Sequence, residues 1–393
     1  MSFFLRYCLV LGLLAGSQAD GQNVSEQQLA AWLRKFPEAD LNGDARLTLD
    51  EAIAYRQKLQ SERTGKPQRQ WGAPQDFEVD PGWDEAAFPD HAVSLRGPEE
   101  IRQIYAGIVG ENDAVTSYPK PTDGSLRIIG TGHSFMRPGY DALNQIAKGL
   151  DSQQEIFTHI GGGITGSVRY KWEQENGIFQ FEGEPRPKLL ASLANADWDV
   201  MTWGPYFKDE PKYYRCWIDF ALKYQPEMRF YLSDAWPQLY QLPSMPSSEA
   251  ELTQEVFAKM NADREAAYNE LIETLRGEYG ERVFIMPTNR AFTLLAQRHI
   301  QSPLPGIDGL HRSVGKKPRS IWRDTLGHIG EGMERLEGYV FYATLYQKDP
   351  SELPKDLPFR DYGGFPSAGL DQVFREIAWQ AVKAHPLSGV GVE

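Results

Sequence analysis

The sequence predicts an α/β protein: a three-layer α/β/α domain built on a parallel sheet, preceded by a small helix-loop-helix module. Three observations predict it. After Gly124 five short apolar runs alternate with longer amphipathic ones, and strands separated by helices are joined as right-handed parallel crossovers. Before Gly124 the pattern differs, with helical periodicity from Ser25 to about Arg63 and then a stretch rich in Pro, Gly and charge. The 393 residues, 41% of them hydrophobic, suffice for one large core and a small module and exclude global disorder.

Residues 1–19 read as a secretory signal: Arg6 in a short n-region, an apolar stretch from Tyr7 to Ala15, and small residues at Ser17-Gln18-Ala19. A secreted or periplasmic protein is expected. No later stretch reaches the roughly 18 apolar residues of a membrane span. Cys8 and Cys216 are the only cysteines and Cys8 leaves with the signal, so no internal disulfide and no thiolate zinc site can form. The formal charge of −13, with no Lys/Arg stripe, disfavours nucleic acid and anionic membranes as partners. The oligomeric state is not written in the sequence.

Residues 20–66 form the small module. Ser25 and Gln28 make a capping box, and Leu29, Trp32, Leu33 and Phe36 recur at helical spacing. Between its helices lies Asp40-Leu41-Asn42-Gly43-Asp44-Ala45-Arg46-Leu47-Thr48-Leu49-Asp50-Glu51. Oxygen side chains fall at loop positions 1, 3, 5, 9 and 12, and the Arg46 carbonyl at position 7, as calcium's demand for six to eight hard oxygens requires. The loop resembles a single EF-hand. The expected ligands are Asp40, Asn42, Asp44, Arg46, Thr48 and Glu51, with Ca2+ structural. One departure is Ala45 at position 6, where a left-handed turn favours Gly and a Cβ costs about 1–2 kcal/mol. Residues 67–124 are read as a linker wrapping the next domain.

Residues 125–388 carry the sheet. Strands are expected over 126–130, 155–160, 198–203, 228–233 and 283–287, and helices near 139–150, 186–195, 209–224, 248–278, 290–300, 331–347 and 369–384. In such sheets the site lies in loops at the carboxyl ends of strands. Two blocks fall there, and a third precedes a late helix. Ile128-Ile129-Gly130-Thr131-Gly132-His133-Ser134-Phe135 is a β run ending in Gly-x-Ser, followed by Pro138 and a helix. His159-Ile160-Gly161-Gly162-Gly163-Ile164-Thr165-Gly166-Ser167 follows the second run and lacks the Lys-Ser/Thr of a phosphate loop. Arg323-Asp324-Thr325-Leu326-Gly327-His328 precedes an apolar helix carrying Leu336, Tyr339, Val340 and Ala343.

In this order the blocks resemble those of the SGNH (GDSL-type) hydrolases, extracellular esterases and lipases. The resemblance implies a flavodoxin-like sheet and a carboxylic ester hydrolase with no catalytic cofactor. It also implies Ser134 as nucleophile, Asp324 and His328 as acid and base, and Gly163 and Gly204 at the oxyanion, Gly166 being the second match to the glycine turn. Two departures stand out. The family spaces acid and base as Asp-x-x-His, whereas Asp324 and His328 have one residue more; Asp308-Gly309-Leu310-His311 keeps the usual spacing and is the alternative pair. After the third strand Thr202-Trp203-Gly204-Pro205-Tyr206 lacks the family's Asn, and one lost oxyanion donor costs about 10²–10³ in turnover.

The expected substrate is an ester, an acetyl on carbohydrate, with Trp172, Trp203, Tyr206 and Trp236 near strand ends available to stack on sugar rings. Tyr213, Tyr214 and Trp217 read as core. The missing Asn supports an alternative: a catalytically impaired scaffold acting as a calcium-dependent carbohydrate-binding or scaffold protein. A metal phosphoesterase or sulfatase fits poorly, because His and Asp are not clustered at ligand spacings.

Overall fold

Strands form where Ile, Val, Met and aromatic side chains run together, because a parallel sheet covered on both faces buries alternate residues on opposite sides. In a computed structural model, residues 29–30, 33–34, 36–48, 51–52, 55, 116–160, 189–204 and 211–391 are described. The chain divides into two units, Met1–Ala73 and Pro74–Glu393. The signal segment, the Ser25 capping box, Trp32, Asp50, Gly163, Gly166, Trp172, Tyr206 and most of the linker lie outside the described residues.

In the larger unit the strands are β1 (Arg127–Gly132), β2 (Glu155–Ile160), β3 (Val200–Trp203), β4 (Arg229–Ser233) and β5 (Val283–Met286). They form one parallel sheet in the order β2-β1-β3-β4-β5. That is the order of flavodoxin-like doubly wound sheets, and it places the topological switch at the carboxyl ends of β1 and β3. The helices are α1 (Arg137–Gly149), α2 (Leu189–Asn195), α3 (Lys212–Tyr224), α4 (Gln254–Tyr279), α5 (Thr288–Gln301), α6 (Arg312–Gly315), α7 (Glu334–Tyr346) and α8 (Ala368–Ala384).

Adjacent strand residues separate the two faces. Ile128, Val200, Tyr231 and Met286 join a cluster with Tyr140 and Leu143 of α1, Phe292 of α5, Val340 of α7 and Phe374 of α8. Ile129, Met201, Phe230 and Ile285 join the opposite cluster with Leu193 of α2, Trp217 of α3 and Ile272 of α4. The result is the three-layer α/β/α architecture. Of the linker, residues 116–124 are described: Thr116 N donates to Ser192 Oγ at 3.0 Å, and the Tyr118 ring meets Trp198 edge-on at 5.7 Å.

Expected and observed elements differ mainly at ends. Trp198 precedes β3, its indole N–H donating to Ser192 O at 3.1 Å, and Pro287 caps α5 instead of ending β5. Residues 249–251 form a separate 3₁₀ turn before Thr253 caps α4. A second small sheet was not foreseen: β6 (Gly309–His311) and β7 (Ser320–Trp322) pair in parallel across α6. Three-residue strands are too short to show a period.

In the smaller unit, Ala39, Leu47 and Ala52 are buried together, with Leu29, Leu33, Phe36 and Tyr55 packed around them. Leu47 of the loop is therefore spent on this module's own core.

Candidate active site

Ser134 stands two residues past the end of β1, exposed at the switch point, and α1 begins three residues later. Pro138 in the first turn of α1 lacks an N–H that the helix would leave unpaired there. Tyr140 ties α1 down, its hydroxyl lying 2.8 Å from Thr202 Oγ1 on β3. The partners of Ser134 come from the loop after β7. Trp322 and Ile329 form an antiparallel bridge at its base, and Arg323 N donates to His328 O at 2.8 Å.

Inside that loop the Asp324 carboxylate organises the chain. Its Oδ1 accepts from Leu326 N at 3.1 Å and from His328 N at 3.2 Å, while Gly327 N donates to Asp324 O at 2.9 Å. Gly327 takes φ +90°, a left-handed conformation open to glycine, and so absorbs the extra residue of the Asp-x-x-x-His spacing. His328 Nδ1 then lies 2.9 Å from Asp324 Oδ2, and His328 Nε2 lies 2.7 Å from Ser134 Oγ. With Nδ1–H donating to the carboxylate, Nε2 is left as the acceptor for the serine hydroxyl. Burial pushes the Asp324 carboxyl up, but hydrogen bonds from His328 and the charges of His328 and Arg323 outweigh it and hold it below the ordinary range. Phe135 meets the His328 ring edge-on at 5.0 Å.

The alternative pair is engaged elsewhere. His311 is 2% exposed, its Nδ1 accepts from Ser313 N at 3.3 Å, and its ring stacks on Trp322 at 6.3 Å. Burial pushes the His311 imidazole down to about 4. Asp308 Oδ2 accepts from Arg319 N at 3.2 Å. The spacing that matched the family more closely thus builds the small second sheet, while the longer spacing reaches Ser134.

Gly204 follows β3 with φ +92°, a conformation that strains any side chain, and a Cβ there would meet Leu232 Cδ1 at 2.5 Å and displace it. It lies against β1: a Cβ at Gly132 would be 3.2 Å from Gly204 O. The other expected oxyanion residue, Gly163, is outside the described residues. Two aromatic expectations are corrected. Trp203 is 1% exposed, stacked on Tyr214 at 5.6 Å, and Trp236 is fully buried, so neither presents a face to a sugar. Tyr214 and Trp217 are core, as read from their spacing; the side chain of Tyr213 is outside the described set.

Sequence reasoning missed the segment after β4. Trp236 Nε1 donates to Gly327 O, and Gln238 Nε2 to Leu326 O at 3.5 Å. Buried Arg264 of α4 holds this segment, Nη1 donating to Asp234 O at 2.9 Å and Nη2 to Tyr240 Oη at 2.9 Å. The Tyr240 side chain is exposed, an aromatic group held by its hydroxyl. A Trp and a Gln three and five residues past the end of β4 carry no short-range signal.

Asp234 is fully buried; its Oδ1 accepts from Asn289 N at 2.9 Å, and burial raises its carboxyl to about 7. The folded chain therefore holds this proton through a range where the unfolded chain has released it, and stability falls as pH rises from about 4 to about 7. The buried His311 and His385, both pushed down to about 4 by burial, act oppositely, so acidification between about 6.5 and 4 destabilises through them. Asp234→Asn is expected to flatten the alkaline-side loss by up to about 3 kcal/mol between pH 5 and pH 8. Urea melts of both proteins at the two pH values check this.

In the smaller unit the loop is formed from its own oxygens. Asp40 Oδ1 accepts from Gly43 N and Oδ2 from Ala45 N, each at 2.8 Å; Asn42 Oδ1 accepts from Asp44 N at 2.9 Å, and Asp44 Oδ1 from Arg46 N at 2.8 Å. Glu51 Oε2 accepts from Thr48 Oγ1 at 2.7 Å, and the Thr48 hydrogen bonds hold the Glu51 carboxyl below its ordinary range. Ala45 takes φ +62°, the left-handed turn for which glycine is usual. Among the described residues no three His, Cys, Asp or Glu side chains gather as a metal set. The donor chemistry, carboxylate, amide and hydroxyl oxygen, suits a hard cation. Asp40, Asn42, Asp44, Thr48 and Glu51 with the Arg46 carbonyl would hold it.

No family model matches the chain, and neither does any curated protein. Among solved structures the chain is similar to a DUF4886 family protein from Bacteroides uniformis, with 12% identity and TM-score 0.43 over 66% of this chain and 95% of that one. It is also similar to the C-terminal catalytic domain of peptidoglycan O-acetyltransferase A from Streptococcus pneumoniae, with 13% identity and TM-score 0.29 over 57% of this chain and 94% of that one. A third is the periplasmic domain of a lipopolysaccharide acetyltransferase from Salmonella ser. Paratyphi A, with 11% identity and TM-score 0.30 over 65% of this chain and 98% of that one. Among the described residues no helix is long and apolar enough to cross a membrane.

Proposed function

We propose that the chain is a serine esterase that cleaves an acetyl ester on carbohydrate, in a secreted or periplasmic setting. One observation carries the reading: a continuous hydrogen-bonded line from Ser134 Oγ through the His328 ring to Asp324, with steps of 2.7 and 2.9 Å. A serine hydroxyl becomes nucleophilic when an imidazole can take its proton, and the imidazole is fixed in that tautomer by a carboxylate on its far nitrogen. The completeness of this line favours an enzyme over a binding module that has lost its chemistry.

In the first half-reaction His328 Nε2 takes the Ser134 proton as Oγ bonds to the ester carbonyl carbon. The resulting oxyanion is met by backbone N–H groups, for which Ser134 and Gly163 are the candidates and Gly204 the neighbouring turn. Collapse breaks the bond to the sugar oxygen, which leaves with the proton from His328. Water then gives its proton to His328, attacks the acyl carbon and, on collapse, releases acetate while the proton returns to Ser134 Oγ. The exposed Tyr240 side chain, anchored through its hydroxyl on Arg264, is the aromatic face proposed for a sugar. The test is acetate release from O-acetylated polysaccharide, set beside release of fatty acid from a long-chain ester. Acetate release alone is expected, and release of fatty acid alone overturns the substrate class.

We also propose that the loop from Asp40 to Glu51 takes Ca2+ as a structural ion. Calorimetric titration of the full chain with calcium is expected to give heat that disappears in Glu51→Gln, which loses a carboxylate ligand. Equal heats in both proteins would remove the ion from this loop.

A further inference from the structure

We infer that Trp236 is a positioning residue that fixes the acid-base loop against the nucleophile, an assignment that rests on the esterase reading above. Asp324 and His328 sit on a short surface excursion, with Thr325 and Leu326 exposed, and the carboxylate of Asp324 has already been used to satisfy the loop's own N–H groups. The carbonyls of Leu326 and Gly327 point the other way, and both accept from the segment after β4, from Gln238 Nε2 and Trp236 Nε1. Those two bonds set where the loop rests and therefore how far His328 stands from Ser134.

Trp236 also reaches the other half of the site. Its fully buried indole packs on Phe135 at 4.8 Å, Phe135 directly follows Ser134, and the same Phe135 ring meets His328 edge-on at 5.0 Å. One side chain thus touches the nucleophile turn through its ring and the acid-base loop through its N–H. The backbone beneath it is held in an unusual state: Ala235 takes φ +57°, its N–H donates to Ser233 Oγ at 3.1 Å, and the Asp234 carbonyl accepts from buried Arg264. A non-glycine residue held left-handed next to a functional loop is where a fold stores strain to aim a side chain.

The experiment compares wild type, Trp236→Phe, which keeps a ring but loses the N–H, and Phe292→Leu, which trims a ring packed 5.7 Å from Trp236 and 6.4 Å from Trp322 at the loop's base but leaves both hydrogen bonds to the loop carbonyls in place. Turnover of p-nitrophenyl acetate is expected to fall about 10- to 100-fold in kcat for Trp236→Phe with KM unchanged, because a small misplacement of reacting groups acts on the chemical step. Phe292→Leu is expected to keep its kcat. Proton NMR reads the same geometry without turnover: the His328 Nδ1 proton facing Asp324 should give a far-downfield resonance in wild type and in Phe292→Leu, and lose it by solvent exchange in Trp236→Phe. A folded Trp236→Phe with the resonance and kcat of wild type, equal losses in Phe292→Leu, or no such resonance in wild type would overturn the assignment. Absence of ester turnover in wild type, with the resonance lost only in Trp236→Phe, would remove the esterase reading and leave the positioning role standing.

Discussion

Ser134→Ala is expected to lower turnover of p-nitrophenyl acetate by about 10⁴- to 10⁶-fold, the loss seen when a serine nucleophile is removed from a working triad. The size follows from its place in the reaction. In the proposed reaction every acyl transfer passes through a bond to Ser134 Oγ, the hydroxyl that lies 2.7 Å from His328 Nε2. Stability should hardly change, within about 0.5 kcal/mol, since the side chain is exposed and supports no packing. Steady-state rates with a urea melt on the same preparation check both halves. Loss of activity together with loss of fold would mean that Ser134 is structural.

Asp324→Asn is expected to cost about 10⁴ in kcat while leaving KM nearly constant. The amide can still accept from Leu326 N and His328 N through one oxygen, so the loop keeps its shape. Its NH₂, however, would face His328 Nδ1, and that nitrogen would have to become the acceptor. The ring proton would then sit on Nε2, directed at Ser134, where a base is needed. Because Asp324 titrates below the ordinary carboxylate range, this deficit should persist across neutral and mildly acid pH. Rescue of the rate by raising pH would contradict it.

The sheet was legible because its strands announce themselves: Ile128-Ile129, Val200-Met201 and Phe230-Tyr231-Leu232 are apolar on both faces, as only a covered parallel strand requires. Helices α1, α5 and α8 were legible from their amphipathic spacing and α7 from its apolar run, while the structure adds a cap at Ser367, whose hydroxyl accepts from Leu370 N at 3.3 Å. Ser134 was legible from the Gly-x-Ser at the end of the first strand taken with the family resemblance of the three blocks, and it stands exposed 2.7 Å from His328 Nε2. The choice of histidine was open because spacing along a chain does not report the path of a loop. Gly327 at φ +90° lets four residues turn back as three would, while His311, with the expected spacing, stacks inside a small sheet that no period revealed. Burial, too, escaped the sequence: Trp203 and Trp236 stand near strand ends, where a sugar platform was expected, and both are inside. Trp236 acquires its role from Gly327, 91 residues downstream, a contact that depends on tertiary structure alone.

The most direct test of the account is covalent labelling. Incubation with a small sulfonyl fluoride, followed by peptide mass spectrometry, is expected to place one sulfonyl group on Ser134 in the wild-type chain and none on it in His328→Ala, where the hydroxyl has no base. Labelling of a different residue, no labelling, or equal labelling of Ser134 in both proteins would contradict the assignment of Ser134 and His328 as nucleophile and base.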